Sequence, residues 1–310
     1  MKGVIILPRY LVNEWSPKFI NGKEDFSAIS SVTRPLWYAL RDRLGFELRY
    51  EDAVSVSPDT DVVVMFGVPY HNRPNLIPGL LDLNKKIKLV MYPGDIQSYN
   101  NHTFTENRLK VFERSDLIVS GSYEYFSKLY PQFLHKYKFL PLFFGPHERY
   151  VGLPFNKNPK MRCLLSGSLN PQVYPLRSKI IASRHVGVDY RPATYAAGDA
   201  YSKLLNSYFC CVTSPSIFNY AVAKYFEILA SGSLLIAPEI KDFNLAGCVA
   251  NKHYVAITKD NALGVISHCL NSPEKYENIR YSGMQYVRAN HSVNNTVNTM
   301  GTLLKELLNK

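Results

Sequence analysis

Lys224 and Glu227 stand three residues apart in Ala223-Lys224-Tyr225-Phe226-Glu227-Ile228-Leu229-Ala230-Ser231-Gly232. On a helix that spacing places an ammonium and a carboxylate on one face. Gly232 occupies the position where a left-handed residue ends a helix, and Ser233–Ala237 behind it predicts a buried strand. From spacing alone, a surface ion pair explains the two charges as well as a binding site does. A second candidate is Asp95, in Tyr92-Pro93-Gly94-Asp95 just past an apolar run. An aspartate there can orient an acceptor hydroxyl or act as a general base, or it can simply bond its own turn. His71, His102 and His147 fall in polar loops and read as solvated side chains. No H-E-x-x-H or paired Cys/His spacing occurs, so no metal is expected and no cofactor is called for.

The elements that must hold these residues come from hydrophobic periodicity. Apolar runs of strand type alternate with helical patterns along the 310 residues, which predicts an α/β fold with parallel sheets. In the first half the strands are Gly3–Leu7, 61–67, Lys88–Tyr92, Leu117–Ser120 and Tyr137–Leu140. The helices between them are Ser31–Leu44, Ile77–Asn84, Thr105–Arg114 and Glu124–Leu129. Residues 144–160 are rich in Pro, Gly and Asn without periodicity and are assigned as the linker. A second series follows: strands at Met161–Ser166, Tyr208–Val212, Ser233–Ala237 and Tyr254–Ile257, with helices at Leu176–Ser183, Asp199–Asn206, Ile217–Ala230, Asn261–Leu270 and Pro273–Ala289. The last helix, Asn294–Leu308, is amphipathic. The expected organisation is a domain of residues 1–150, a domain of residues 151–293, and a helix of residues 294–310 packing back on the first. Two such series predict two Rossmann-like domains facing a cleft, with ligands at the carboxyl ends of the strands.

Composition narrows the function classes. No run approaches the roughly 20 apolar residues of a membrane-spanning helix, and the N-terminal apolar run, ended by Pro8, is too short for a signal peptide. The expectation is a cytoplasmic protein. Five cysteines (Cys163, Cys210, Cys211, Cys248, Cys269) lack paired spacing and read as buried thiols. The three N-x-S/T triplets, at Asn101, Asn290 and Asn294, then carry no glycan. The net charge of +11 is uneven: residues 1–150 carry 19 Lys+Arg against 16 Asp+Glu, whereas residues 151–310 carry 17 against 9. A basic second half suits a polyanionic ligand, either a diphosphate or nucleic acid, or is a generically basic surface.

The stretch from Lys224 to Ile236, with its basic residue, aromatic, glutamate, Leu-Ala-Ser-Gly and short apolar strand, resembles the C-terminal signature of group 1 glycosyltransferases. The branch it is most similar to carries the spore-maturation-type glycosyltransferase domain. The resemblance runs on through Leu270-Asn271-Ser272-Pro273-Glu274-Lys275, the helix Ile279–Val287 with Gly283, and His291, so it spans residues 160–295. Residues 1–150 match only in general pattern, at Ser115–Val119 and Leu140-Pro141.

That resemblance implies a GT-B fold and transfer of a sugar from a nucleoside diphosphate donor, UDP- or GDP-linked, to a hydroxyl of a glycan or small molecule. It favours retention of configuration without a metal. Glu227 would accept hydrogen bonds from the donor ribose, and Lys224 would neutralise the diphosphate. Gly167-Ser168 and Arg177 resemble the family's glycine turn and arginine, where backbone and guanidinium meet phosphates. Ser214 and Ser216, before the helix bearing Lys224, would add an anion site at its N-terminus. Tyr190 and Arg191, in a loop after a short strand, are expected to contact the nucleobase. The sequence departs from the family at Asn219, eight positions before Glu227, where many members have an acid. Phe218 and Tyr220 beside it imply a differently shaped sugar pocket. Two rival readings remain: a transferase acting on modified DNA bases, and a basic nucleotide- or nucleic-acid-binding protein without catalysis. No nucleic-acid-binding signature supports the second.

Overall fold

The computed structural model describes residues 1–8, 18–20, 23–25, 34–51, 54–67, 76–94, 96, 102–141 and 147–309. The chain divides into two compact units: Met1–Ser16, Thr33–Leu140 and Thr296–Lys310 form one, and Pro17–Val32 with Pro141–Asn295 form the other. Strands are numbered in chain order. β1 (Gly3–Pro8) opens the first unit, and a short antiparallel hairpin, β2 (Lys18–Ile20) and β3 (Lys23–Asp25), follows it. The first unit then adds β4 (Glu47–Glu51), β5 (Val62–Phe66), β6 (Lys88–Tyr92), β7 (Leu117–Ser120) and β8 (Tyr137–Phe139). Its sheet has the order β4-β1-β5-β6-β7-β8 with every pairing parallel. Val62–Phe66 is buried along its whole length, as a strand covered on both faces must be. Val4, Ile6, Val63, Met65, Leu89, Met91 and Ile118 cover one face and pack on Leu80, Val111, Phe112 and Phe126 of the helices. In the C-terminal helix Val293–Leu308, Gly301 lies close to Leu44, where an added Cβ would sit 3.5 Å from a Leu44 methyl.

In the second unit β9 (Lys160–Ser166), β10 (Val188–Arg191), β11 (Tyr208–Val212), β12 (Leu234–Pro238) and β13 (Val255–Ile257) form a parallel sheet ordered β10-β9-β11-β12-β13. Cys163, Leu165, Cys210 and Val212 face helices Pro175–Ala182 and Ala262–Asn271 through Ile180, Ile266 and Cys269. Helices Gly198–Asn206, Ala223–Ser231 and Glu277–Asn290 pack together in a second layer. The chain leaves β9 towards β10 and returns to the other side of β9 at β11. The carboxyl ends of β9 and β11 are therefore the switch point at which open sheets of this type bind ligands. All five cysteines are buried and unbridged. No helix among the described residues is long and apolar enough to cross a membrane.

Several expected elements differ: the helix expected at Pro273–Ala289 divides into a 3-10 turn, Pro273–Lys275, and a helix from Glu277, and His102 and His147 open helices rather than lying in loops. The helix placed at Ile217–Ala230 starts only at Ala223. Asn219 adopts φ +54°, a left-handed turn that a helix cannot include, and the Ile217 amide bonds the carbonyl of Val173 instead. The assigned linker holds a helical turn, His147–Val151, and β9 begins at its last residue. Tyr190 and Arg191 are the end of β10 itself, not of a loop beyond it.

Candidate functional site

Helix Ala223–Ser231 begins after an extended Val222 and ends at Gly232, whose φ of +81° gives the left-handed cap. Within it Tyr225, Phe226, Ile228 and Leu229 are buried, so the helix is held on nearly all sides. Glu227 is buried with them, at 7% exposure, which removes the surface ion pair as an account of this motif. Among the described residues Glu227 forms no ion pair, because the Lys224 ammonium turns the other way. It donates to the Tyr201 hydroxyl at 2.9 Å and lies 4.7 Å from the centre of that ring. Tyr201 in turn shares a 2.9 Å hydrogen bond with Ser166 Oγ, at the end of β9.

These side chains wall one pocket in the second unit. Its lining includes Ser166, Gly198, Tyr201, Lys224, Glu227 and Arg149, the last from the helical turn His147–Val151. That turn packs on helices Gly198–Asn206 and Ala223–Ser231, which is how an arginine from the assigned linker reaches the pocket. Ala196, Ala197 and Gly198 bring the N-terminus of helix Gly198–Asn206 to the same wall, a feature that favours anions. Burial pushes Glu227 above the usual carboxylate range, against the pull of Lys224, Arg149 and the neighbouring Tyr150 hydroxyl. Burial also lowers Lys224, opposed by Glu227. Each charge is thus held at a cost in the free protein, as expected where a ligand completes the site.

Gly167, in the turn after β9, has φ +108°. A Cβ there would stand 3.0 Å from Lys224 Cε and 3.5 Å from Arg177 Nη1, so both the conformation and the close approach require glycine. Arg177 is 3% exposed; it stacks on Tyr174 at 3.9 Å and donates to the Ser214 carbonyl at 2.7 Å. It therefore ties the end of β11 to the glycine turn, and it is not among the residues that line the pocket. Ser214 is buried. Ser216 caps its own turn, its Oγ accepting from the Phe218 amide at 3.3 Å. The late start of the helix separates both serines from the N-terminus they were expected to flank. Ser168 is exposed, with its Oγ accepting from the Asn170 amide at 3.3 Å. Asn219 is exposed at the left-handed turn between stacked Phe218 and Tyr220. Tyr190 donates to the Gly167 carbonyl at 3.0 Å and so braces the glycine turn. Arg191 lies over Tyr195, 4.9 Å from its ring centre. Asp95, like His71, lies outside the described residues.

Sequence reasoning missed Ser166, Tyr201, Gly198, Arg149 and Tyr150. Ser166 and Gly198 carried a signal, since one adjoins the glycine turn and the other closes an Ala-Ala-Gly run opening a helix. Arg149 and Tyr150 carried none. Among the described residues no group of three His, Cys, Asp or Glu side chains is placed to hold a metal.

No protein-family model matches the sequence, and no curated protein matches it. Solved structures do. Sucrose-phosphate synthase from Thermosynechococcus elongatus superposes with a TM-score of 0.62 at 11% identity, covering 99% of each chain. HepE of Anabaena, solved with UDP and glucose, gives 0.61 at 12% identity over 99% of this chain and all of its own. The pneumococcal O-GlcNAc transferase GtfA, solved with UDP and GlcNAc, gives 0.53 at 11% identity. This chain covers 57% of GtfA's length. At such identities the likeness is one of fold, and that fold is the two-sheet GT-B architecture of glycosyltransferases.

Proposed function

We propose that the protein transfers a sugar from a nucleoside diphosphate donor to a hydroxyl of a glycan or small-molecule acceptor, with the donor nucleotide in the pocket of the second unit. The observation that carries this is Glu227: a buried carboxylate opening on a pocket, without an ion-pair partner among the described residues, beside a lysine and a helix N-terminus. A carboxylate only accepts hydrogen bonds, so it suits the paired hydroxyls of a ribose. Lys224 and the N-terminus of helix Gly198–Asn206 would meet the diphosphate, with Gly167 letting the chain approach it. The UDP in HepE and GtfA supports this reading through their shared fold.

In the reaction the bond from the anomeric carbon to the diphosphate oxygen breaks and a bond to the acceptor oxygen forms. The acceptor proton passes to the departing phosphate, and Lys224 offsets the charge that develops there. Retention of configuration rests on the family resemblance alone. No metal is invoked, because Lys224 and the helix N-terminus fill that role. Transfer is accordingly expected to persist in excess EDTA; activity abolished by chelator and restored by manganese or magnesium would overturn that part. The test of the whole is a screen of UDP- and GDP-sugars for donor hydrolysis and thermal stabilisation. The reading predicts at least one hit that Lys224→Ala abolishes. A protein that none of these donors stabilises is not this enzyme.

A further inference from the structure

The proposed donor brings two phosphates, yet the pocket wall as read from sequence supplies a single cation, Lys224. Arg177, the expected second cation, comes within 3.5 Å of where a Gly167 Cβ would stand, but it is held by Tyr174 and the Ser214 carbonyl and does not line the pocket. Arg149, which carried no sequence signal, lines the pocket beside Lys224 and Glu227. Its Nε donates to Asp199 Oδ1 at 3.2 Å, and the two side chains are unequally covered, 4% exposed for Arg149 and 52% for Asp199.

That inequality decides which partner can leave. Arg149 is fixed by its burial, whereas Asp199 reaches water and can turn to it once another anion takes over the buried guanidinium, which is costly to leave unpaired. Asp199 also sits in the first turn of helix Gly198–Asn206, whose N-terminus opens on the pocket, so a carboxylate is favoured there until another anion arrives. A phosphate would compete with Asp199 for both the guanidinium and the helix end.

We propose that Arg149, rather than Arg177, is the second phosphate-binding cation of the donor site, and that Asp199 holds it until the donor binds. This rests on the donor reading above. It assigns Glu227 to the ribose, and Lys224 with Arg149 to the two phosphates.

Calorimetry with UDP, uridine, GDP and guanosine separates the contributions. For whichever base binds, Arg149→Gln weakens the diphosphate on the order of tenfold or more and leaves the nucleoside unchanged. Arg149→Lys recovers part of that loss. Asp199→Asn keeps Arg149, removes its competitor and tightens the diphosphate severalfold. Melting curves of each variant establish that it is folded. Arg149→Gln that binds the diphosphate like wild type overturns the assignment and leaves the donor reading standing. So does a loss shared equally by nucleoside and diphosphate, or weaker diphosphate binding by Asp199→Asn, which would make the pair structural support. Arg177→Gln erasing the preference for diphosphate while Arg149→Gln keeps it overturns it too. A wild-type protein that binds none of the four overturns the donor reading itself.

Discussion

Glu227 and Lys224 show what residue spacing can and cannot say. Three-residue separation on a helix put both charges on one face, but it did not say that the face was buried. The structure turns the ammonium to Tyr201 and leaves the carboxylate opening on a pocket. Glu227→Gln keeps the shape and removes the charge, so on the donor reading nucleoside and nucleotide affinities fall together, by about tenfold, without unfolding. Calorimetry checks this, and wild-type affinity in the variant would remove Glu227 from the ribose. Burial raises the Glu227 pKa, so acidification protonates it at a higher pH than an ordinary carboxylate. Wild-type affinity for UDP or GDP is therefore expected to decline early as pH falls, and the Gln variant to lack that decline.

At the scale of elements, the site rests on helix Glu277–Asn290 packed against helix Ala223–Ser231. Gly283 makes that packing possible: a Cβ there would lie 2.8 Å from a Leu229 methyl of the facing helix and 2.3 Å from the backbone carbonyl of His253, which cannot swing aside as a side chain would. Gly283→Ala should destabilise the protein by about 1–3 kcal/mol, read as a lower midpoint in denaturant. At the end of the same helix His291 is buried against Phe226, with Nε2 2.9 Å from the Ala246 carbonyl. Burial lowers its pKa to about 4, so between pH 6.5 and 4 the unfolded chain binds a proton that the folded chain refuses. Stability is complete above 6.5 and falls as pH drops through that window, by about 3 kcal/mol from this group. His291→Gln should flatten that part of the pH–stability curve even though it lowers the plateau. An equally steep curve in the variant would place the acid sensitivity elsewhere.

For the whole molecule the open matter is what the basic second half meets. Lys252, Lys259 and Lys305 are exposed and belong to neither the pocket nor its supports. Neutralising all three is expected to leave sugar transfer unchanged at physiological salt, where exposed charges are screened beyond about 8 Å. If DNA were the acceptor, the triple variant would lose activity most at low salt and its salt dependence would flatten. Comparing rates at low and moderate salt decides between a small or neutral acceptor and a DNA-modifying enzyme.

The class of fold was legible in the chain, because buried parallel strands are contiguous apolar runs and the turns after them carry Gly or Pro. The sequence located Lys88–Tyr92, Leu117–Ser120 and Tyr208–Val212 to the residue, and it placed the cap at Gly232, where only a left-handed residue fits. It could not place the start of the helix bearing Lys224, since Asn219 is compatible with both a helix and the left-handed turn it adopts. Nor could it find Arg149 or separate it from Arg177. Arg149 falls in the unpatterned linker whereas Arg177 falls in an expected helix, and which of them faces a pocket depends on how helical turn His147–Val151 packs on two helices about 50 or more residues away. Local periodicity reports which face of an element is buried. What meets that face is a property of the packed chain, set by contacts between segments far apart in sequence.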